Sequence, residues 1–289
     1  MQFSDQKKGM LMAFTAVIFL TPDSLFIRLA NVSSWNLIFY RGFIPFLVVF
    51  IGLLFVYKAN FIKQTFSNGL HGAAYALVFT ITNITFVISI ENTAVANTLI
   101  MIALAPMLSA ILSFIFLKEI PSKETWAAIT VTTLSVVYIF YDAIDTGDVL
   151  GNALGLLTAF GLAVGAVIVR SAKKIDLVPS AMFGKLLVAI IAFYFADNLN
   201  LKGSDLTIVP LMCIMCVALP FVLVTIAPRY ITAAEVNLFF LLETIIGPIW
   251  VWLVIKEQPS IETIIGGITI IITIAIHSFL SLKKHNFKH

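Results

Sequence analysis

Long apolar runs dominate the sequence, and they constrain the fold more than any other feature. Ten of them separate cleanly, and each is close to the roughly 20 residues that an α-helix needs to cross the hydrocarbon core of a bilayer. Only 11% of the residues are charged, against about 25% in a soluble domain. The sequence therefore predicts an all-α integral membrane protein with ten transmembrane helices. Their approximate spans are residues 9–29, 35–57, 70–90, 93–117, 123–141, 149–170, 178–196, 207–227, 232–254 and 260–280.

The basic residues indicate which side of the membrane each loop occupies. With a cytoplasmic N terminus, the outer loops hold Arg28, Lys202 and Lys256 of the 18 lysines and arginines, and two spans hold Arg41 and Lys185. The other 13 lie in cytoplasmic segments, as the positive-inside rule requires. The sequence therefore predicts a multi-pass protein of the cell (inner or plasma) membrane with both termini in the cytoplasm.

A short motif occurs twice, once in each half of the chain. Residues 119–125 read EIPSKET and residues 257–263 read EQPSIET, and five of the seven positions agree at an offset of 138. Because each copy includes five spans, an odd number, the two copies enter the membrane from opposite sides. The sequence thus predicts two inverted five-helix repeats, residues 1–145 and 146–289, around a central cavity. Inverted repeats are a recurring architecture of secondary transporters.

Four stretches of the sequence carry a family resemblance: AVANTLIMIALAPMLSAILSFIFLKE (94–119), AAEVNLFFLLETIIGPIWVWLVIKE (233–257), PDSLFIRL (22–29) and FYRG (39–42). They resemble the drug/metabolite transporter superfamily of the EamA type. The resemblance implies a ten-helix bundle with a central cavity, and transport of amino acids, other small metabolites or toxic organic compounds, many of them outward. The family's helix four ends in Leu-Gly-Glu, whereas this chain has Lys118 in place of the glycine and Lys256 at the matching point of helix nine. That departure concerns the tightness of the turn and not the fold.

Ionisable side chains within spans are the strongest local signal, since each costs about 2.5–3.5 kcal/mol or more at the bilayer centre. Glu243 is predicted to carry a coupling proton or to neutralise a cationic group of a substrate, unless it forms a structural ion pair. Asp23 is predicted to contact substrate or close an outer gate, or else to cap its helix at the interface. Arg41 is predicted either to bind a substrate carboxylate or to pair with Asp23 or Glu243. Lys185 is expected to extend its ammonium to the cytoplasmic interface.

Uncharged polar and aromatic residues add further candidates. Asn83 and Asn97, in helices three and four, are predicted to bond to one another or to line the cavity. Tyr75 and Trp250 are candidates for stacking against an apolar part of a substrate, although membrane-interface belts use the same residue types. The C-x-x-C pair at 213–216 lies in an apolar run and is interpreted as two small apolar helix residues.

The sequence contains no motif for catalysis or nucleotide binding. It has no G-x-x-x-x-G-K-[ST] loop, no H-E-x-x-H and no basic patch for nucleic acid, so no enzymatic activity, cofactor, metal or nucleic-acid partner is predicted. Energy should come from a gradient, with the proton as candidate coupling ion, or from exchange. The sequence favours a secondary active exporter of a small amphiphilic or zwitterionic metabolite that works by alternating access. The alternatives are an importer or exchanger of the same fold, and a non-transporting membrane scaffold or sensor; no oligomeric state is predicted.

Overall fold

The computed structural model describes residues 3–93, 95–139, 149–256 and 261–286, and the regular structure within them is helical throughout. The α-helices are α1 (Phe3–Leu20), α2 (Asp23–Leu29), α3 (Ser34–Tyr57), α4 (Phe61–Thr65), α5 (Gly69–Asn92), α6 (Val95–Ile102), α7 (Ala105–Leu112), α8 (Lys123–Ile139), α9 (Val149–Ser171), α10 (Val178–Phe195), α11 (Asp205–Met212), α12 (Leu219–Ile226), α13 (Ala233–Phe240), α14 (Glu243–Ile255) and α15 (Ile261–Asn286). Two π-helical segments, Ser113–Leu117 and Cys213–Ala218, extend α7 and join α11 to α12.

Seven helical segments of the described chain are long and apolar enough to cross a membrane. They coincide with seven of the ten predicted spans; the other three are the fourth, fifth and tenth. The fourth is divided between α6 and α7, and its apolar part Ala105–Leu117 is short, as is Ile268–His277 in the tenth. The count of ten therefore stays a prediction. The seven segments are Asp5–Ile27, Ser34–Thr65, Gly69–Asn92, Val149–Ser171, Val178–Phe195, Asp205–Arg229 and Ala233–Val254.

At one end of the bundle, polar contacts join the first and second halves of the chain. The Arg170 side chain donates to the Glu119 carboxylate at 3.0 Å, and the two residues form an ion pair. The Tyr57 hydroxyl, at the last residue of α3, donates to Asp176 at 2.5 Å. We refer to this end as the Tyr57 face.

At the other end of the bundle, a second group of polar contacts joins the two halves. Asn36, near the first residue of α3, donates its side-chain amide to the Asn198 carbonyl at 2.6 Å. The backbone N–H of Asn31 donates to the Asp205 carboxylate at 3.1 Å. Because α3 rises about 1.5 Å per residue, this Asn36 face lies roughly 30 Å from the Tyr57 face. Polar pairs therefore join the two halves at both ends of the bundle.

Two helices are interrupted at matching points of the halves. The break between α6 and α7 is at residues 103–104, and the break between α13 and α14 is at residues 241–242. The N–H of Leu104 and that of Leu242 each donate to the carbonyl three residues earlier, at 3.1 and 3.0 Å, so each break is one tight turn. The breaks are 138 residues apart, as are the two copies of the sequence motif. Residues 257–260 of the second copy lie outside the described part of the chain.

The turns that follow these helices keep the conformation that a glycine would adopt. Lys118 has φ 57° and Lys256 has φ 67°, both in the left-handed region where helices commonly end on glycine. The lysines therefore preserve the tight turn, although the left-handed region is unfavourable for a residue with a Cβ atom.

Helix one is interrupted next to a predicted site residue. Pro22 has no N–H and cannot donate to the Ile18 carbonyl; the Thr21 hydroxyl donates to that carbonyl instead, at 2.9 Å. The helix resumes at Asp23, the first residue of α2. The break therefore positions the Asp23 carboxylate inside the bundle, where it is fully buried.

Candidate functional site

A cavity of about 120 Å³ lies between the two halves of the chain. Residues of α1, α2, α3, α5 and α6 line it from the first half, and residues of α9, α10, α12, α13, α14 and the 213–218 segment line it from the second. Most of the lining is apolar or aromatic. Four ionisable side chains nevertheless reach it, two acidic and two basic: Asp23, Arg41, Lys185 and Glu243.

Asp23 and Arg41 form a closed ion pair. Arg41 Nη1 donates to Asp23 Oδ1 at 2.6 Å, and Nη2 donates to Oδ2 at 2.7 Å, which is the two-pronged geometry of strong guanidinium–carboxylate pairs. Arg41 Nη1 also lies 3.5 Å from the sulfur of Met212. Of the two roles predicted for Arg41, the structure contains the ion pair with Asp23, whose carboxylate is fully buried. The pair joins α2 to α3.

Lys185 is buried at the cavity wall, so the prediction that it reaches the membrane interface is wrong. Only 1% of the residue is exposed. Its Nζ donates to Asn83 Oδ1 at 2.5 Å and lies 5.4 Å from the ring centroid of Phe79 and 5.8 Å from that of Phe221. These contacts hold the ammonium inside the bundle.

Two glycines explain why the Lys185 side chain stays inside. A Cβ atom at Gly184 would lie 2.9 Å from the carbonyl oxygen of Ala76 on α5. One at Gly42 would lie 2.6 Å from the Ala189 nitrogen and 2.8 Å from the Lys185 carbonyl oxygen on α10. Helices α3 and α5 thus both approach the α10 backbone beside Lys185. The Lys185 side chain leaves α10 beside these close contacts and lies in the lining of the cavity.

Glu243 is the fourth charged residue of the lining. It is 7% exposed and is the first residue of α14, directly after the 241–242 break. The N-terminus of a helix favours a negative charge, so the break provides a suitable place for this carboxylate. Within the described residues, Glu243 takes part in no ion pair. Its carboxylate therefore faces the cavity without a fixed cationic partner there.

The predicted asparagines are only partly described. Asn83 lines the cavity, but it bonds to Lys185 and, through Nδ2, to the Phe79 carbonyl at 2.7 Å. Asn97 lies within α6, and its side chain falls outside the described part of the structure. The hydrogen bond predicted between the two therefore stays a prediction.

The predicted aromatic residues do not line the charged cavity. Tyr75 lines an adjoining cavity of about 60 Å³, which shares six lining residues with the first, Phe79 and Asn83 among them. Its hydroxyl is hydrogen bonded to Thr225 at 2.9 Å. Trp250 lines neither cavity; its ring nitrogen donates to the Thr21 hydroxyl at 3.0 Å, which fixes α14 against the break in helix one.

Sequence reasoning missed several residues of the lining. Thr158, Phe79 and Phe221 all contact the cavity, and none has a pattern that separates it from other helix residues. Lys185 did have such a signal. It is a lysine in the middle of a span directly after a glycine, and small residues mark close helix contacts in membranes.

Comparison with known proteins places this geometry in a family context. The model of a family described as the EamA-like transporter family matches the chain twice, over residues 7–141 and 149–279. A Bacillus subtilis (strain 168) protein named "Uncharacterized transporter YdfC" is 27% identical over 194 residues. That match covers 65% of this chain and 63% of the relative, which is less than two thirds of the relative's length.

A solved structure, described only as the crystal structure of a protein, superposes on the chain with a TM-score of 0.79. The superposition covers 95% of this chain and 97% of the other, at 16% sequence identity. The two proteins therefore share a fold.

Proposed function

The chain belongs to the EamA-like transporter family, and we propose that this multi-pass membrane transporter carries a small zwitterionic or amphiphilic metabolite, such as an amino acid. The observation that supports this cargo is the charge of the cavity. Asp23, Arg41, Lys185 and Glu243 place two charges of each sign on a wall that is otherwise largely apolar. A lining that is neutral overall but contains both signs complements a molecule that is neutral overall and contains both signs, and it disfavours ions of one sign.

The proposed architecture is ten transmembrane helices in two inverted repeats, residues 1–145 and 146–289. The helix breaks at 103–104 and 241–242, and the left-handed lysines after the broken helices, support a repeated unit. Interrupted helices near the middle of the membrane are a common way for secondary transporters to build a substrate site between repeats. The cavity adjoins both breaks, through Ile102 on α6 and Glu243 on α14.

The proposed mechanism is alternating access by rocking of the two halves. The cavity of about 120 Å³ is smaller than the roughly 300–1,000 Å³ of typical ligand pockets, and polar contacts join the halves at both faces. Loading a metabolite would therefore require the halves to separate at one face. Opening the Tyr57 face would separate Arg170 from Glu119, and opening the Asn36 face would separate Asn36 from Asn198.

The proposed direction is export, driven by a proton that Glu243 carries, with both termini and the Tyr57 face in the cytoplasm. Glu243 suits this role because its carboxylate faces the cavity and has no ion-pair partner among the described residues. Transport in proteoliposomes with an imposed pH gradient tests the coupling. The gradient should change the rate; a rate that ignores the gradient removes proton coupling from the proposal.

The experiment that tests transport itself is a comparison of metabolites inside and outside cells. Four strains are compared: without the protein, with the wild type, with Glu243→Gln and with Glu91→Gln. Glu91 is an exposed carboxylate of α5 outside both cavities, so it controls for the substitution. We expect a small zwitterion to be enriched outside cells with the wild type and Glu91→Gln only. Accumulation inside would indicate an importer, and profiles equal to the strain without the protein would contradict transport.

A further inference from the structure

We propose that Lys185 is the residue that binds the carboxylate of the cargo, with Asn83 holding its ammonium in place. The cargo then lies with its carboxylate toward Lys185 and its ammonium toward Glu243. The inference rests on the proposed function, because it assumes a zwitterionic cargo, and it adds the residue that recognises one end and the orientation in the cavity.

The surroundings of Lys185 are those of a charged ammonium. Asn83 Nδ2 donates to the Phe79 carbonyl, which turns Asn83 Oδ1 toward Lys185 as an acceptor. The rings of Phe79 and Phe221 lie within cation–π range of Nζ, and such rings attract a cation. An ammonium has three N–H donors, and the bond to Asn83 uses one of them. The wall of the cavity thus presents a positioned cation with donors to spare.

Lys185 has no carboxylate partner among the described residues. The ion pairs found there join Arg41 to Asp23, and Arg170 and Lys173 to Glu119. A buried cation without a counter-ion is unfavourable, and in a membrane protein such a group by default marks a ligand or ion path. A carboxylate supplied by the cargo would provide the missing counter-ion.

Arg41 does not compete for that carboxylate. Both of its terminal nitrogens are bonded to Asp23 at 2.6 and 2.7 Å, so its two-pronged surface is occupied. Glu243 is the carboxylate of the lining that takes part in no ion pair among the described residues. It is therefore the partner left for the ammonium of the cargo.

The competing role for Lys185 is structural, with its bond to Asn83 serving only to join α10 to α5. The two roles differ in one measurable property. A structural lysine affects the binding of all compounds alike, whereas a carboxylate-binding lysine affects only compounds that carry a carboxylate.

The test measures ligand binding to the purified full-length protein by ligand-dependent shifts in thermal unfolding. The probes are the common L-amino acids, their amides, which lack the negative charge, and their N-acetyl derivatives, which lack the positive charge. The proteins are the wild type, Lys185→Gln, Asn83→Asp and the control Lys63→Gln, an exposed lysine of α4. Asn83→Asp keeps Lys185 but gives it a permanent counter-ion, so it tests the same claim if Lys185→Gln does not fold.

We expect the wild type and Lys63→Gln to bind at least one amino acid about tenfold or more tighter than its amide, as for a buried charge pair. Lys185→Gln and Asn83→Asp should lose that preference by about tenfold or more and retain the preference over the N-acetyl derivative. If either variant keeps the wild-type preference for the amino acid over its amide, the assignment of Lys185 is overturned while the zwitterionic cargo stands. If the wild type prefers no amino acid over both derivatives, the cargo class and the assignment both fail.

Discussion

Two sets of charged side chains line the same cavity, and they differ in whether each charge is paired with an opposite charge of the protein. Asp23 and Arg41 satisfy each other through two short bonds. Lys185 and Glu243 line the same cavity and have no ion-pair partner in the described chain. A charge in a membrane span is therefore not by itself a substrate site. The difference suggests a division of roles, in which the closed pair stabilises the bundle and the two open charges meet the cargo.

Breaking the closed pair should have the largest effect on stability. Asp23→Asn leaves Arg41 buried without its counter-ion, and we expect the free energy of unfolding to fall by about 3–5 kcal/mol, as for other broken buried pairs. Denaturant unfolding of the purified protein measures the change. The double variant Asp23→Leu/Arg41→Met replaces both charges with apolar groups and should recover most of the loss. A double variant as unstable as Asp23→Asn would show that the pair is not a self-contained structural unit.

Separating the helices that carry Arg41 and Lys185 should have an intermediate effect. Gly42→Ala places a methyl group 2.6 Å from the Ala189 nitrogen, and overpacking of this kind costs about 1–3 kcal/mol. Gly52→Ala is the control on the same helix, because its Cβ atom would meet nothing within 4 Å. It should leave the protein unchanged or up to about 1 kcal/mol more stable. Equal thermal unfolding of the two variants would contradict the close packing of α3 on α10.

Removing the open charges should have the smallest effect on stability. Lys185→Gln and Glu243→Gln each take away a buried charge that has no ion-pair partner in the described residues, so the free energy of unfolding should change by about 1 kcal/mol or less, or rise. Lys63→Gln and Glu91→Gln are the matched exposed controls. A loss in either cavity variant as large as that of Asp23→Asn would mean that the charge is already paired, and the comparison between the two sets would no longer hold.

The sequence predicted the parts of the site that follow from the free-energy cost of placing a charge in a membrane span. Hydropathy identified the seven spans at which the structure has long apolar helices. The free-energy cost of a buried charge identified Asp23, Arg41 and Glu243 as residues that need a cavity or a partner. All three line the cavity. The Asp23–Arg41 pair was one of the alternatives, because a span that contains an arginine requires an acceptor nearby.

The remaining features depend on packing between helices, which one sequence does not display. The position of Lys185 along its own helix suggested an interfacial lysine, but Gly42 and Gly184 bring two neighbouring helices against it. The break at 241–242 falls on the two leucines of a Phe-Leu-Leu run that has no helix-breaking residue, whereas the one at 103–104 at least precedes Pro106. Trp250 was a candidate for stacking on a substrate or for an interface belt, and its ring nitrogen donates to the hydroxyl that caps the break at Pro22.

The most direct test of the account is transport in proteoliposomes of the metabolite identified from cells. Vesicles would hold equal amounts of the wild type, Lys185→Gln, Glu243→Gln, Lys63→Gln or Glu91→Gln. The account predicts that both cavity variants lose about tenfold or more of the transport rate, while both exposed controls keep it. Transport at the wild-type rate by either cavity variant would contradict the claim that the open charges bind the cargo.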